Sequence, residues 1–301
     1  MNILIEATGS LTSGYLIKAI QNAGHRAVGS DITDFNHGYL LCDDFIVMPK
    51  CDDNELWQKI ENSLLEKKID IVIPSFDETL EEWAKRKEYF AKLKINIIIS
   101  ELHTINKFQD KWETYKFFKD IGVNTPKTSL EAIFSIVKPR FGRGGKGIFE
   151  NDFNKLINMT DMISQEKIDG EEYTVDCLFD LNGKPIYIVP RIRIDVRDGK
   201  STKGQVVKDE KINELVTKIS ENIRFIGPIN FQLFKTNNGE LVMIEVNPRI
   251  AGGMALGIAA TENWISLIIN NIVLGKPVNY EKINPIKYGL KMVRYYEECF
   301  I

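Results

Sequence analysis

The chain has 301 residues, 44% apolar and 27% charged, with a formal net charge of −3. That length holds two or three compact units with real cores. The near-neutral balance argues against nucleic-acid or membrane binding by bulk electrostatics, and no apolar run approaches the ~20 residues of a membrane span. Cys42, Cys51, Cys177 and Cys299 lack metal-ligand spacing and only three histidines are present, so a zinc site is not expected and reduced thiols of a cytoplasmic protein are. The opening residues lack the basic and long apolar regions of a signal peptide and read as a buried strand.

Residues 2–7 begin a strand–helix alternation: helix 14–24, strand 25–32, strand 43–49, helix 54–68, strand 69–75, helix 77–93 and strand 95–100. Strands alternating with helices of this length predict βαβ units and a parallel sheet. Ligands of such sheets lie outside the carboxyl ends of the strands, which places loops 8–13 and 75–78 and Asp31 beside a pocket. Gly9 and Gly14 do not have dinucleotide-fingerprint spacing, so that loop reads either as a plain turn or as an anion contact.

From about residue 106 the character changes. A helix is predicted over 108–122, ending at Gly122 with Pro126 beyond it. Residues 133–150 read as strand, glycine-rich turn and strand, followed by a helix-like stretch over 151–163. A strand over 172–180 passes through Asn182-Gly183 into a second strand over 184–197, and helices are predicted over 212–224 and 255–275, with a strand-like close at 288–297. Segments 227–235 and 241–249 alternate around Asn238-Gly239, the dipeptide of a two-residue hairpin loop. Such a loop pairs Asn237 with Glu240, Gln232 with Glu245 and Asn230 with Asn247. Opposed residues point to one side, so Gln232, Glu245 and Asn247 form an oxygen-rich face closed by Arg249. The other face then carries Phe231, Leu233, Val242, Ile244 and Val246.

Hard oxygen donors suit Mg²⁺, which shares its shell with substrate phosphates. In 141–147, Gly142, Gly144, Gly145 and Gly147 free the backbone to approach a ligand, with Lys138, Arg140, Arg143 and Lys146 around them. The spacing is not that of a P-loop, because a strand follows. Arg191, Arg193, Asp195 and Arg197 recur every second residue. They read either as a face for a carboxylate or phosphate substrate or as a charged sheet edge.

The order of features, Asp110-Lys111, Lys138 with the glycine loop, Gln165 to Glu172, Phe231-Gln232 and Glu245-x-Asn247-Pro-Arg249, resembles the ATP-grasp superfamily. Its end resembles the carbamoyl-phosphate-synthase large-chain branch, present here as a single ATP-grasp unit. The resemblance implies a Rossmann-like parallel-sheet pre-ATP-grasp domain over 1–105, a small lid subdomain over 106–168 and a C-terminal subdomain over 169–301, an α/β and α+β protein. It implies that Lys111 and Lys138 bind phosphate and that loop 141–147 is a lid. It places adenine near Gln165, Glu166 and Ile168, and ribose at Glu172. It makes Gln232, Glu245 and Asn247 Mg²⁺ ligands and sets Arg249 beside the transferring phosphoryl group. Gln232 stands where many amide-forming members have an acid.

The implied activity is an ATP- and Mg²⁺-dependent ligation of a small carboxylate to an amine or ammonia through an acyl phosphate. The alternatives are a small-molecule kinase of the same fold and a non-catalytic nucleotide-binding module. A homodimer is the default assembly.

Overall fold

The computed structural model describes all residues except Leu11, Asp198, Gly199, Tyr296 and Ile301, and the backbone alone at Val196, Arg197 and Lys200. The chain divides into two compact units, one of Met1–Ile99, Glu262–Asn279 and Tyr295–Ile301, the other of Ser100–Thr261 and Tyr280–Arg294.

In the first unit the elements are β1 (Asn2–Ile5), α1 (Gly14–Asn22), β2 (Arg26–Asp31), α2 (His37–Leu41), β3 (Asp44–Val47), α3 (Leu56–Glu66), β4 (Ile71–Ile73), α4 (Leu80–Lys92) and β5 (Asn96–Ile97). The strands form a wholly parallel sheet in the order β3-β2-β1-β4-β5. Ile3, Leu4, Ile71 and Val72 are fully buried, as expected of central parallel strands covered on both faces. Helix α2 was not expected; at five residues it is too short to show a period, and it starts where Asn36 accepts the Tyr39 N–H. The predicted neighbours of the strand ends hold one another: Asp31 accepts the Gly9 N–H at 2.8 Å.

The second unit contains α5 (Leu102–Gln109), α6 (Lys111–Asp120), β6 (Thr128–Ser129), β7 (Ile136–Pro139), β8 (Phe149–Glu150), β9 (Met162–Gln165), β10 (Gly170–Phe179), β11 (Pro185–Arg197), β12 (Lys200–Val206), α7 (Glu210–Asn222), β13 (Gly227–Thr236), β14 (Leu241–Asn247), α8 (Ala255–Ala260) and β15 (Lys291–Val293). An antiparallel sheet runs β14-β13-β10-β11-β12-β15, and a smaller one β6-β9-β7-β8. One face of the larger sheet packs Tyr173, Val175, Cys177, Phe179, Phe231, Leu233 and Met243 against Phe108 and Phe118 of α5 and α6 and Ile212, Val216 and Ile219 of α7. Among the described residues no single helix is long and apolar enough to cross a membrane.

Three predicted helices differ. The one over 108–122 is two helices, because Asp110 leaves helical geometry and caps α6 by accepting the Trp112 N–H. Residues 151–161 form no helix; Asp152 and Asn158 bond the backbone two residues on, the local competition that favours turns. The stretch 255–275 breaks at 261–263, where Asn263 caps the short helix Trp264–Leu267 and a π-helical turn follows.

The hairpin β13–β14 also departs from the two-residue loop. Thr236 pairs with Glu240 across three residues, with Gly239 at φ +79°, the three-residue form that ends in a left-handed residue. The register is thereby offset until a bulge between Gln232 and Leu233 restores it, so that Gln232 faces Glu245 and Asn230 faces Asn247. The bulged residue is Ile244. On the core face Met243 takes the place predicted for Ile244, and Val242 moves to the other face, opposite Phe234.

Candidate functional site

The face of the large sheet away from α5, α6 and α7 is polar. Strand pairing aligns Glu245, Gln232, Thr174 and Arg191 in one row, and Asn247, Asn230 and Asp176 in the next. Arg193 and Glu172 occupy the row beyond and form an ion pair. The predicted Mg²⁺ ligands Gln232, Glu245 and Asn247 therefore share one surface. Asn247 Oδ1 accepts from Arg249 Nη2 at 3.2 Å, and Arg249 Nη1 donates to the Ile250 carbonyl at 3.1 Å.

Lys138 comes from β7 of the small sheet. Its side chain is buried, and Nζ donates to Gln165 Oε1 at 2.7 Å, while Gln165 Nε2 donates to Thr128 Oγ1 at 3.0 Å. Burial pushes the Lys138 ammonium down to about 8; Glu245 pulls it up and Lys111 pushes it further down. Glu245 and Lys111 therefore each lie within electrostatic reach of Lys138. An ammonium with one neutral partner in a dry pocket is a site that seeks an anion.

Lys111, the first residue of α6, donates to the Gly142 carbonyl at 2.8 Å. It thereby touches the glycine loop, which is exposed throughout and has Gly142, Gly144, Gly145 and Gly147 at positive φ. The β7–β8 pairing gives the predicted strand, glycine turn and strand. Glu166 and Ile168 lie in the connection between β9 and β10, and the Glu166 N–H is bonded to the Lys127 carbonyl.

The arginine strand β11 is flanked by β10 and β12 and is not an edge. Arg191 is buried and donates Nε and Nη2 to Asp176 at 2.7 and 3.2 Å; Asn230 donates to the same carboxylate at 2.8 Å. Arg193 also donates to Ser201 Oγ at 3.0 Å. The Arg197 side chain lies outside the described residues. Sequence reasoning placed Asn230 opposite Asn247 on this face but missed Thr174 and Asp176. The alternation Glu172, Thr174, Asp176 was available to find them, since those residues share the period of the arginines.

Residues 158–297 match the family described as ATP-grasp in the biosynthetic pathway with Ter operon, and residues 3–98 the PylC-like N-terminal domain. The carbamoyl phosphate synthase large chain of Neisseria meningitidis is 23% identical over 299 residues, a match covering 86% of this chain and 28% of the relative's length. Biotin carboxylase of Campylobacter jejuni superposes with a TM-score of 0.72 at 18% identity, over 94% of this chain and 73% of that one. N5-carboxyaminoimidazole synthetase of Staphylococcus aureus gives 0.70 at 19%, over 93% and 78%. The chain is thus one that carries an ATP-grasp domain behind a PylC-like N-terminal domain.

Proposed function

We propose that the chain is an ATP- and Mg²⁺-dependent carboxylate–amine ligase acting through an acyl phosphate, with residues 106–168 serving as lid and 169–301 as the subdomain that holds the chemistry. The observation that carries this reading is that Glu245, opposite Gln232 on the polar face, acts electrostatically on the buried Lys138 ammonium. The donor set fits the metal. Among the described residues no cluster of three or more His, Cys, Asp or Glu stands together. One carboxylate and two carboxamides suit Mg²⁺, which takes the rest of its shell from phosphate oxygens.

When bound, ATP supplies the phosphoryl group that activates a substrate carboxylate. Lys138 and Lys111 receive the phosphate charge, and Arg249, held by Asn247 and Ile250, steadies the group in transfer. The glycine loop closes over the site and keeps water from the acyl phosphate. Glu172 takes the ribose hydroxyls, and the backbone around Glu166, with Gln165 and Ile168 beside it, takes the adenine edge. The second substrate is an amine or ammonia that attacks the activated carbonyl.

The test is a phosphate-release screen of the purified protein with ATP and Mg²⁺ against amino acids and small carboxylates. Acid-dependent release with ADP formed in equal amount supports the reading. ADP formation with the phosphate retained on a product makes the chain a kinase, and binding without turnover makes it a nucleotide-binding module.

A further inference from the structure

Two polar atoms on the sheet face are buried with no hydrogen-bond partner, the Thr174 hydroxyl and Arg191 Nη1. They are neighbours. Thr174 pairs directly with Arg191 across β10 and β11, and Gln232 stands on the other side of Thr174, in the row that ends in Glu245. Their surroundings are bonded: Asp176 takes the other two donor atoms of Arg191 and also binds Asn230, while Arg193 binds Glu172 and Ser201. A hydroxyl and a guanidinium N–H left side by side without acceptors are held at a desolvation cost that a bound oxygen would recover.

We propose that Thr174 Oγ1 and Arg191 Nη1 form the subsite for the carboxylate of the acceptor acid. This rests on the ligase reading above. The charge balance selects the class of ligand. Asp176 already neutralises Arg191, so a bound carboxylate adds one uncompensated negative charge beside Asp176 and Glu245 and a phosphate dianion adds two, which favours the singly charged ligand. The lid of the subsite is the turn Gly252–Met254. A Cβ on Gly253 would lie 2.0 Å from Arg191 Nη2, so the backbone there rests directly on the guanidinium, and only glycine permits that approach. The turn is held in turn by Arg294 Nη2, which donates to the Gly252 carbonyl at 2.5 Å. Lifting Gly252-Gly253 uncovers the Arg191 guanidinium, beside Thr174 in the row that leads to the proposed Mg²⁺ ligands.

The test follows the Thr174 methyl group by NMR in the full chain, assigned by its loss in Thr174→Val. That variant removes a hydroxyl that has no partner, so it melts no lower than the parent. Sodium acetate, the smallest carboxylate, is titrated with and without MgADP, with sodium chloride as control. The expected result is a saturable shift of the Thr174 methyl below about 100 mM acetate, the range that fills a millimolar site. In turnover, the acid that releases most phosphate shows a KM raised about tenfold in Thr174→Val, the loss of one hydrogen bond to a charged group, with the ATP KM unchanged. A methyl that does not move with acetate, as when a buried water fills the gap, overturns the subsite even where MgADP binds. Failure of MgADP to perturb any resonance overturns the ligase reading and leaves the acetate titration to be judged on its own.

Discussion

Gln232 and Glu245 face each other because two irregularities in one hairpin cancel. The three-residue turn after Thr236 offsets the pairing, and the bulge at Ile244 returns it. With unbroken register from the tip, Ile244 would face Gln232, and Glu245 would lie beside Phe231 in the core. The bulge therefore delivers the carboxylate to the polar face, a re-aiming for which bulges are known.

Replacing Glu245 with alanine is expected to lower Mg²⁺-dependent ADP formation by at least about a hundredfold, the usual loss when a group that stabilises developing charge is removed. Its side chain is part-exposed and lies outside the hydrophobic core, so the melting temperature should change little. Full activity in this variant removes Glu245 from the metal site.

Lys138 gives a pH signature. Its ammonium is pushed down to about 8 from 10.5, chiefly by burial. Above about pH 8 it loses the charge that attracts phosphate, so ADP affinity should fall as pH rises through that value. The fall should vanish in Lys138→Arg, which stays charged. The stability effect has the opposite sign. Between pH 8 and 10.5 the unfolded chain binds more protons at this residue, so its contribution to stability rises with pH across that window and is flat below it. Titration calorimetry with ADP and urea melts at several pH values check both limbs.

Asp176 and Arg191 are a fully buried pair. Asp176→Asn leaves the guanidinium uncompensated and should cost about 3–5 kcal/mol in urea unfolding. Replacing both residues with leucine should recover most of that loss while leaving the site without its proposed acid subsite. A single variant as stable as the parent would show that the pair is not dry.

Arg193 grips Glu172, the residue proposed for ribose. Arg193→Ala should therefore raise the KM for ATP several-fold through a misplaced Glu172, an interaction of about 1 kcal/mol. If only the acid KM moves, Arg193 reads the acceptor instead of steadying the nucleotide.

The strand–helix order of the first unit was legible because buried parallel strands are short unbroken apolar runs, as at Ile71–Ile73, and amphipathic helices impose a strong period, as at Leu80–Lys92. The pairing of Gln232 with Glu245 was also legible, although the turn geometry behind it was not. Asn238-Gly239 read as a two-residue loop but closes over three residues, as does the Asn182-Gly183 turn between 180 and 184; both have the glycine at positive φ, and each strand pair then carries a bulge. A bulge leaves no local residue signal, because it is set by how two strands twist together. Asp176 escaped notice for a related reason. An acid among Val175, Cys177 and Leu178 is explained only by its partner Arg191, which lies fifteen residues away.

The segregation of the large sheet into an oily and a wet side bears on how its surface can be varied. Variation confined to 172, 174 and 193 samples the polar face, whereas changes at 176 and 191 break a buried ion pair and a library displaced by one residue samples foldability alone, since Tyr173, Val175 and Cys177 belong to the packed interior.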